Sequence, residues 1–376
     1  MTLTPPAAAQ AIGGRVAINP AAGAEPNIDP ETGEGAAPRS GRRATPLVAP
    51  IPFKNSQLGW GLMLMVGVIH RFDDDTTVKP STGAVGAFYT ENHSWGVMAV
   101  EMARLGGDAW RLRGGVSHME LRYDFYGIGE DAGDAGQSIG VEQTMNFAMG
   151  SALRRVARGL YLGPAAIWIN TRVALRDSLP IPPPPSAADR GSTNLVAPGI
   201  QAEADTRDSD YWPTVGTLLN VKGAFFTEGL GSARDFQRYV AYWSWYSALK
   251  GDRLVLATNV NLCAAQGDAP FYSLCSVGAG RGGLRGYQQG RYRDSVMTTA
   301  QAELRYHTAG RFGAAVFAGF GQVAPDLGGV FDAQVLVAGG LGVRYQLTRE
   351  YPMHMRIDYA WGRNEGILYF AVAEAF

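Results

Sequence analysis

The segment MHMRIDYAWG, residues 353–362, decides the fold class, because large apolar residues alternate in it with small or charged residues. One side of the pattern carries Met353, Met355, Ile357, Tyr359 and Trp361, and the other carries His354, Arg356, Asp358, Ala360 and Gly362. Successive side chains of a β-strand point to opposite faces of its sheet. The pattern therefore predicts a strand with an apolar medium on one face and a polar medium on the other.

Two other segments, 58–72 and 334–347, repeat this alternation clearly. Weaker alternation occurs in 82–91, 94–104, 109–124, 139–150, 158–173, 213–227, 236–249, 252–262, 298–308, 311–322 and 366–376. The sum is about fourteen strands, and twelve or sixteen also fit because bacterial barrels of a single chain contain an even number. We therefore predict an all-β fold, a transmembrane antiparallel β-barrel.

The composition argues against several other classes of protein. No apolar run is long enough to form a transmembrane helix. The mean hydropathy is close to zero, as expected where each lipid-facing residue is followed by a lumen-facing one. A net charge of −1 gives no electrostatic reason to expect nucleic acid as a partner. The expected location is the bacterial outer membrane, where the partners would include outer-membrane lipids and lipopolysaccharide.

The chain divides into two parts by composition. Residues 1–50 are rich in Pro, Ala and Gly and lack sustained apolar periodicity, which predicts a disordered N-terminal arm, and residues 51–376 form the predicted barrel. A second region rich in strand breakers, 177–210, predicts a long loop. Residues 1–14 lack the basic start and apolar core of a signal peptide, so we expect a trimmed or misassigned start.

The two cysteines, Cys263 and Cys275, lie close together with turn residues between them. In an oxidising compartment such a pair would form a local loop disulfide, and two unpaired thiols are the alternative. Metal binding is less favoured because no histidine lies nearby. No metal or other cofactor is expected.

The C-terminal segment also alternates. Counting back from the terminus in steps of two gives Phe376, Glu374, Val372, Phe370 and Leu368. An aromatic residue at the end of such a strand resembles the sorting signal that the outer-membrane assembly machinery reads. We therefore predict a C-terminal sorting strand with Phe370, Val372 and Phe376, and that machinery as a partner during biogenesis. Glu374 is expected at the periplasmic membrane interface, where a charge costs little.

A glycine-rich segment, GAGRGGLRGY at 278–287, carries a family resemblance. Its last four residues, Leu284-Arg285-Gly286-Tyr287, resemble the V/I-R-G-F/Y motif of the BamA/TamA superfamily, the bacterial surface-antigen barrels. Five predicted strands follow the motif, as in that family. Further matches are DFYGIG at 124–129 and RIDY at 356–359. The resemblance covers about residues 45–376 and implies a short, barrel-only member without periplasmic repeat domains.

The resemblance implies a site in the lumen. In this family the motif lies on a long loop folded back into the lumen, and its arginine binds acidic residues on inward-facing strand positions. Arg285 would be that arginine, and Glu303 matches the acidic partner position. Relatives often have an aspartate where this chain has Gly319, and Asp358 could supply that second contact. The predicted lumen partners are Glu303, Arg305, Arg356 and Asp358.

Two patterns look like catalytic motifs, and neither is expected to be catalytic. GQSIG at 136–140 matches the nucleophile elbow by spacing, but it leads from a loop into a predicted strand instead of from a strand into a helix. His354 and Asp358 share one inward face, with His307 nearby, which we interpret as a polar network that holds the loop. The protein is therefore not expected to be an enzyme.

Three functions remain open at the level of sequence. The first is insertion or export of a protein or lipid through a lateral seam between the first and last strands, near 58–72 and 367–376, for an unknown client. The alternative is a pore, either passive or gated by the loop that carries Arg285. The least favoured is an outer-membrane hydrolase.

Overall fold

The computed structural model describes residues 44–72, 80–176, 192–210, 212–278, 283–308, 310–346, 354–363 and 365–376. Most of the predicted N-terminal arm and part of the predicted loop 177–210 lie outside these residues. None of the helices in the described ranges is long and apolar enough to cross a membrane.

Sixteen antiparallel strands of the described residues close into a single barrel. They are β1 (Ala44–Asn55), β2 (Gly59–His70), β3 (Ser81–Thr90), β4 (Trp95–Leu105), β5 (Trp110–Phe125), β6 (Ile139–Ala157), β7 (Leu160–Leu175), β8 (Thr193–Asp205), β9 (Gly216–Phe226), β10 (Phe236–Lys250), β11 (Leu254–Gly267), β14 (Val296–His307), β15 (Phe312–Ala324), β16 (Leu336–Gln346), β17 (His354–Trp361) and β18 (Gly366–Val372). Their order around the barrel follows the chain, and β18 closes on β1.

The connection between β11 and β14, residues 268–295, is called the motif loop below because it contains Leu284-Arg285-Gly286-Tyr287. It carries a two-stranded ribbon, β12 (Cys275–Ser276) paired with β13 (Arg293–Asp294). A short helix, α1 (Glu130–Ala135), follows β5, and its neighbour Gly129 forms a backbone bridge with Arg293.

The alternation on which the fold prediction rests is visible on β2. The side chains of Met63 and Met65 are buried, whereas those of Leu62 and Leu64 are more than half exposed on the outer surface. Because the exposed residues are aliphatic, this face suits lipid. The predicted all-β barrel is therefore confirmed.

The predicted number of about fourteen strands was wrong, because β1 and β8 were not recognised. β1 contains Pro46, Pro50 and Pro52, and proline has no N–H with which to bind a neighbouring strand. Among the described residues β1 covers Ala44–Asn55, and the seam lies between β1 and β18 instead of between 58–72 and the last strand.

β8 lies within the region predicted to be a long loop. Its centre contains Pro198 and Gly199, which resemble strand breakers in the sequence. The strand pairs with β7 from Thr193 to Ala204, but its pairing with β9 begins only at Gly199. At Pro198, β8 pairs only with β7, so the backbone there has to donate fewer hydrogen bonds.

The C-terminus departs from the predicted strand over 366–376. β18 ends at Val372, and Ala373 has a φ of 76° that turns the last residues out of the sheet. Phe376 is only 1% exposed and packs with Tyr246 and Ala257. Phe376 therefore lies outside the C-terminal strand in which the alternation predicts it.

Candidate functional site

The site is centred on Arg285 of the motif loop, which lies between strands β14, β15 and β17. Its Nη2 is 2.6 Å from Oε2 of Glu303, and its Nη1 is 2.8 Å from Oδ2 of Asp358. The guanidinium carbon lies 3.4 Å from the ring centre of Phe317. A planar guanidinium can bind two carboxylates and stack on an aromatic ring at once, which an ammonium group cannot do.

Arg344 joins the same two carboxylates to the C-terminus. Its Nη2 is 3.2 Å from Glu303, its Nη1 is 2.5 Å from Asp358, and its Nε is 2.9 Å from Glu374. All four of these side chains, like Arg285, are almost completely buried. Buried ions need several partners to offset their lost hydration, and this arrangement supplies them.

Two further arginines complete this cluster, which we call the arginine network. Arg305 contacts Glu303 through Nε at 2.7 Å and donates a hydrogen bond of 3.2 Å to the backbone oxygen of Phe376. Arg356 pairs with Asp358. The network therefore contains all four predicted partner residues together with Arg285. It also contains Arg344 and Glu374, which were not predicted.

Arg344 and Glu374, which were not predicted, differ in how far the sequence indicates their positions. Arg344 lies on the polar side of the alternating segment 334–347, so its inward position could have been found from the pattern. Glu374 was expected at the membrane interface because the alternation was extended to the terminus. The turn at Ala373 instead carries it to Arg344, which no alternation pattern indicates.

The other three residues of the motif, Leu284, Gly286 and Tyr287, each have a structural role in the loop. Leu284 is completely buried. Gly286 has a φ of 103°, and an added Cβ would lie 2.9 Å from the backbone of Trp361. Tyr287 donates a hydrogen bond of 2.8 Å to the carbonyl oxygen of Val337. Each residue fixes the motif loop to a neighbouring element, and only glycine fits the position at 286.

The start and end of the motif loop are anchored as well. Cys263 on β11 and Cys275 in the loop form a disulfide with a Cα–Cα distance of 5.7 Å. Tyr292 donates a hydrogen bond of 2.7 Å to Asp134 of α1. This bond helps to hold the pKa of the Asp134 carboxyl below its ordinary value, whereas burial raises the pKa of Asp294.

The geometry does not assemble a catalytic site from the motifs considered above. GQSIG at 136–140 leads from the end of α1 into β6, which is the reverse of the strand–turn–helix order of a nucleophile elbow. The centre of the His354 ring lies 4.5 Å from the ring centre of Trp212 and 5.4 Å from that of His307. Within the described ranges no group of three or more His, Cys, Asp or Glu side chains could hold a metal ion.

Comparison with known proteins decides the family. Residues 98–376 match the Omp85 superfamily domain. The chain belongs to the Omp85 superfamily. The resemblance to surface-antigen barrels noted in the sequence is thereby confirmed, and this Omp85 barrel is an outer-membrane protein. No curated protein sequence matches the chain.

Solved structures share the fold of this Omp85 barrel at low sequence identity. BamA from Haemophilus ducreyi lacking POTRA domains 1-3 is 16% identical, with a TM-score of 0.60 over 88% of this chain and 70% of that chain. CdiB from Acinetobacter baumannii is 12% identical, with a TM-score of 0.55 over 88% of this chain and 60% of that one. CdiB from Escherichia coli is 11% identical, with a TM-score of 0.61 over 90% of this chain and 63% of that one. The chain thus spans less than two thirds of either CdiB chain.

Proposed function

We propose that this Omp85 barrel assists insertion or export of a protein or lipid at the outer membrane through the seam between β1 and β18. The observation that carries the proposal is the pairing of these two strands. Their register contains one pair, Lys54 opposite Phe370, whereas β1 keeps register with β2 from Ala44 to Asn55. A seam with so few paired residues needs little free energy to open.

The prolines of β1 lie on its seam edge, and β18 is short. Alternate residues of a strand direct their N–H and C=O groups to the same neighbouring strand. Pro46, Pro50 and Pro52 have the same parity, and the continuous ladder with β2 requires donors from the residues of the other parity. The three prolines therefore direct their missing N–H groups to the seam edge of β1, and in the antiparallel register Pro52 faces Val372, the last residue of β18. Lys54 has their parity and possesses an N–H, and it is the residue that pairs with β18.

In this proposal the motif loop lies in the lumen and keeps the last five strands rigid beside the seam. Support comes from its contacts on several sides of the barrel. Arg285 binds β14 and β17, the backbone N–H of Gly286 donates to the Tyr369 hydroxyl on β18 at 2.9 Å, and Arg293 lies 5.6 Å from the Phe125 ring on β5. One wall of the seam would then be held firmly while β1 moves.

The partners follow from the same proposal. Outer-membrane lipids and lipopolysaccharide would contact the exposed aliphatic face, and the assembly machinery would insert the barrel during its biogenesis. The client is a protein or lipid that enters the membrane through the opened seam.

A disulfide across the seam tests the proposal. Lys54→Cys with Phe370→Cys joins the one registered pair of β1 and β18, and Tyr359→Cys with Leu368→Cys joins a registered pair of β17 and β18 as a matched control. We compare outer-membrane protein and lipid content in a deletion strain that carries each variant. The seam-locked variant should reproduce the loss of one or a few components seen in the deletion, and a reductant should restore them.

The control variant should behave as the wild type. If the locked variant also retains full activity, or if deletion leaves the membrane unchanged, lateral opening is wrong. Conductance in planar bilayers that rises on Arg285→Ala substitution would then favour a loop-gated pore.

A further inference from the structure

A second polar cluster lies on the inner wall of β5, β8 and β9, away from the arginine network. Gln201 is 1% exposed, and neither its amide nitrogen nor its amide oxygen has a hydrogen-bond partner in the described part of the chain. Arg113 is buried, and its Nη1 likewise has no partner there. Lys222 is 3% exposed and makes no hydrogen bond or ion pair with a described residue.

The sheet register brings these three side chains together. Gln201 on β8 lies directly opposite Lys222 on β9. Directly opposed residues have Cβ atoms about 5 Å apart on the same face. Arg113 reaches the same area from β5, because its Nη2 is 2.7 Å from Oε1 of Glu203, the next inward-facing residue of β8 after Gln201.

The nearby carboxylate does not neutralise the cluster. Glu203 accepts hydrogen bonds from Arg113, from Arg111 at 2.8 Å and from Asn220 at 3.2 Å. Glu203, Arg113 and Arg238 all lie within electrostatic reach of Lys222. Arg113 and Lys222 thus lie beside the same carboxylate, Glu203, and all three side chains are buried.

Buried polar groups are hydrogen-bonded in nearly all proteins, and buried charges are paired. The amino group of Lys222, Nη1 of Arg113 and the amide NH₂ of Gln201 are buried donors without a described acceptor, and the Arg113 guanidinium carries a positive charge. We infer that these three side chains form a lumenal binding site for one oxyanion, a phosphate or a carboxylate. Water could accept hydrogen bonds from these donors but would not offset the positive charge. The site does not depend on lateral opening of the barrel.

Equilibrium dialysis tests the site directly. The purified full-length protein, in a detergent with uncharged headgroups at low salt, is dialysed against radiolabelled phosphate and, separately, radiolabelled acetate. We expect saturable binding of one anion per barrel. Lys222→Gln should weaken this binding at least about tenfold, because hydrogen bonds to charged groups are among the stronger ones. Lys250→Gln, a change at an exposed lysine on β10, should leave it unchanged.

A second variant separates binding from folding. Gln201→Leu removes the amide donor without changing the charge and should also weaken binding, while heat-modifiable gel mobility shows that each variant forms the barrel. Phosphate binding much tighter than acetate binding indicates a phosphorylated ligand such as a lipid headgroup, and comparable binding indicates a carboxylate of a polypeptide. Absence of saturable binding, or equal binding by Lys222→Gln and Lys250→Gln, would overturn the inference and leave a cluster that holds water only.

Discussion

Arg285 binds Glu303 and Asp358 with two different guanidinium nitrogens, and a lysine ammonium cannot span both carboxylates. Removal of one member of a buried ion pair costs about 3–5 kcal/mol, because the remaining charge stays buried. We therefore expect Arg285→Ala to lower the free energy of unfolding by a few kcal/mol and Arg285→Lys to lower it by less. The measurement is heat-modifiable gel mobility across a urea series.

The control for this series is Arg311→Ala, which removes an exposed arginine from the turn between β14 and β15. Exposed charges contribute little to stability, so the midpoint of this variant should stay near that of the wild type. Equal midpoints for Arg285→Ala and Arg311→Ala would show that the arginine network does not stabilise the barrel.

The residues of the network were predictable to the extent that they follow alternation or the motif. Glu303 and Asp358 lie on the polar faces of strands that the sequence pattern indicates, and the motif singled out Arg285. Their mutual distances are a property of the closed barrel, in which β14 and β17 are separated by two strands. No local pattern could show that one guanidinium reaches both.

At the scale of elements, the two missed strands share one cause. β1 and β8 contain prolines, which weaken the sequence signal of a strand, and both strands lack full pairing on one side. Proline is tolerated where the edge of a strand does not have to donate hydrogen bonds to a neighbouring strand. The proline pattern of β1 is therefore information about the seam and not only an obstacle to recognising the strand.

Pro52→Val restores an N–H donor on the seam edge of β1, opposite Val372 at the end of β18 in the antiparallel register. We expect this donor to bind β18 and to slow amide hydrogen exchange in residues 366–372 by about fivefold, since one hydrogen bond contributes about 1 kcal/mol. Insertion or export activity should fall at the same time. Pro198→Val on β8 is the matched control. Faster or unchanged exchange in β18 would contradict the assignment of Pro52 to the seam edge.

At the scale of the whole molecule, the arginine network connects the motif loop to the strand that forms the seam. Arg344 contacts Glu303 and Asp358, which bind Arg285, and it also contacts Glu374, two residues beyond the end of β18. A displacement of the loop would remove Arg285 from Glu303 and Asp358, leave both carboxylates to Arg344 and the other arginines, and so alter the hold of Arg344 on Glu374. Loop position and seam stability should thus depend on each other.

A double-mutant cycle with Arg285→Ala and Glu374→Gln measures this dependence. Both changes act on groups that share Arg344, and residues in one salt-bridge network show interaction energies of about 0.5–3 kcal/mol. We expect the double variant to differ from the sum of the single variants by an amount in that range, measured as unfolding free energy in urea. Arg285→Ala combined with Asp108→Asn is the control, because Asp108 pairs with Arg111 in a different cluster. Additive effects in both pairs would mean that the motif loop and the C-terminal strand are held independently, and that loop movement is not transmitted to the seam.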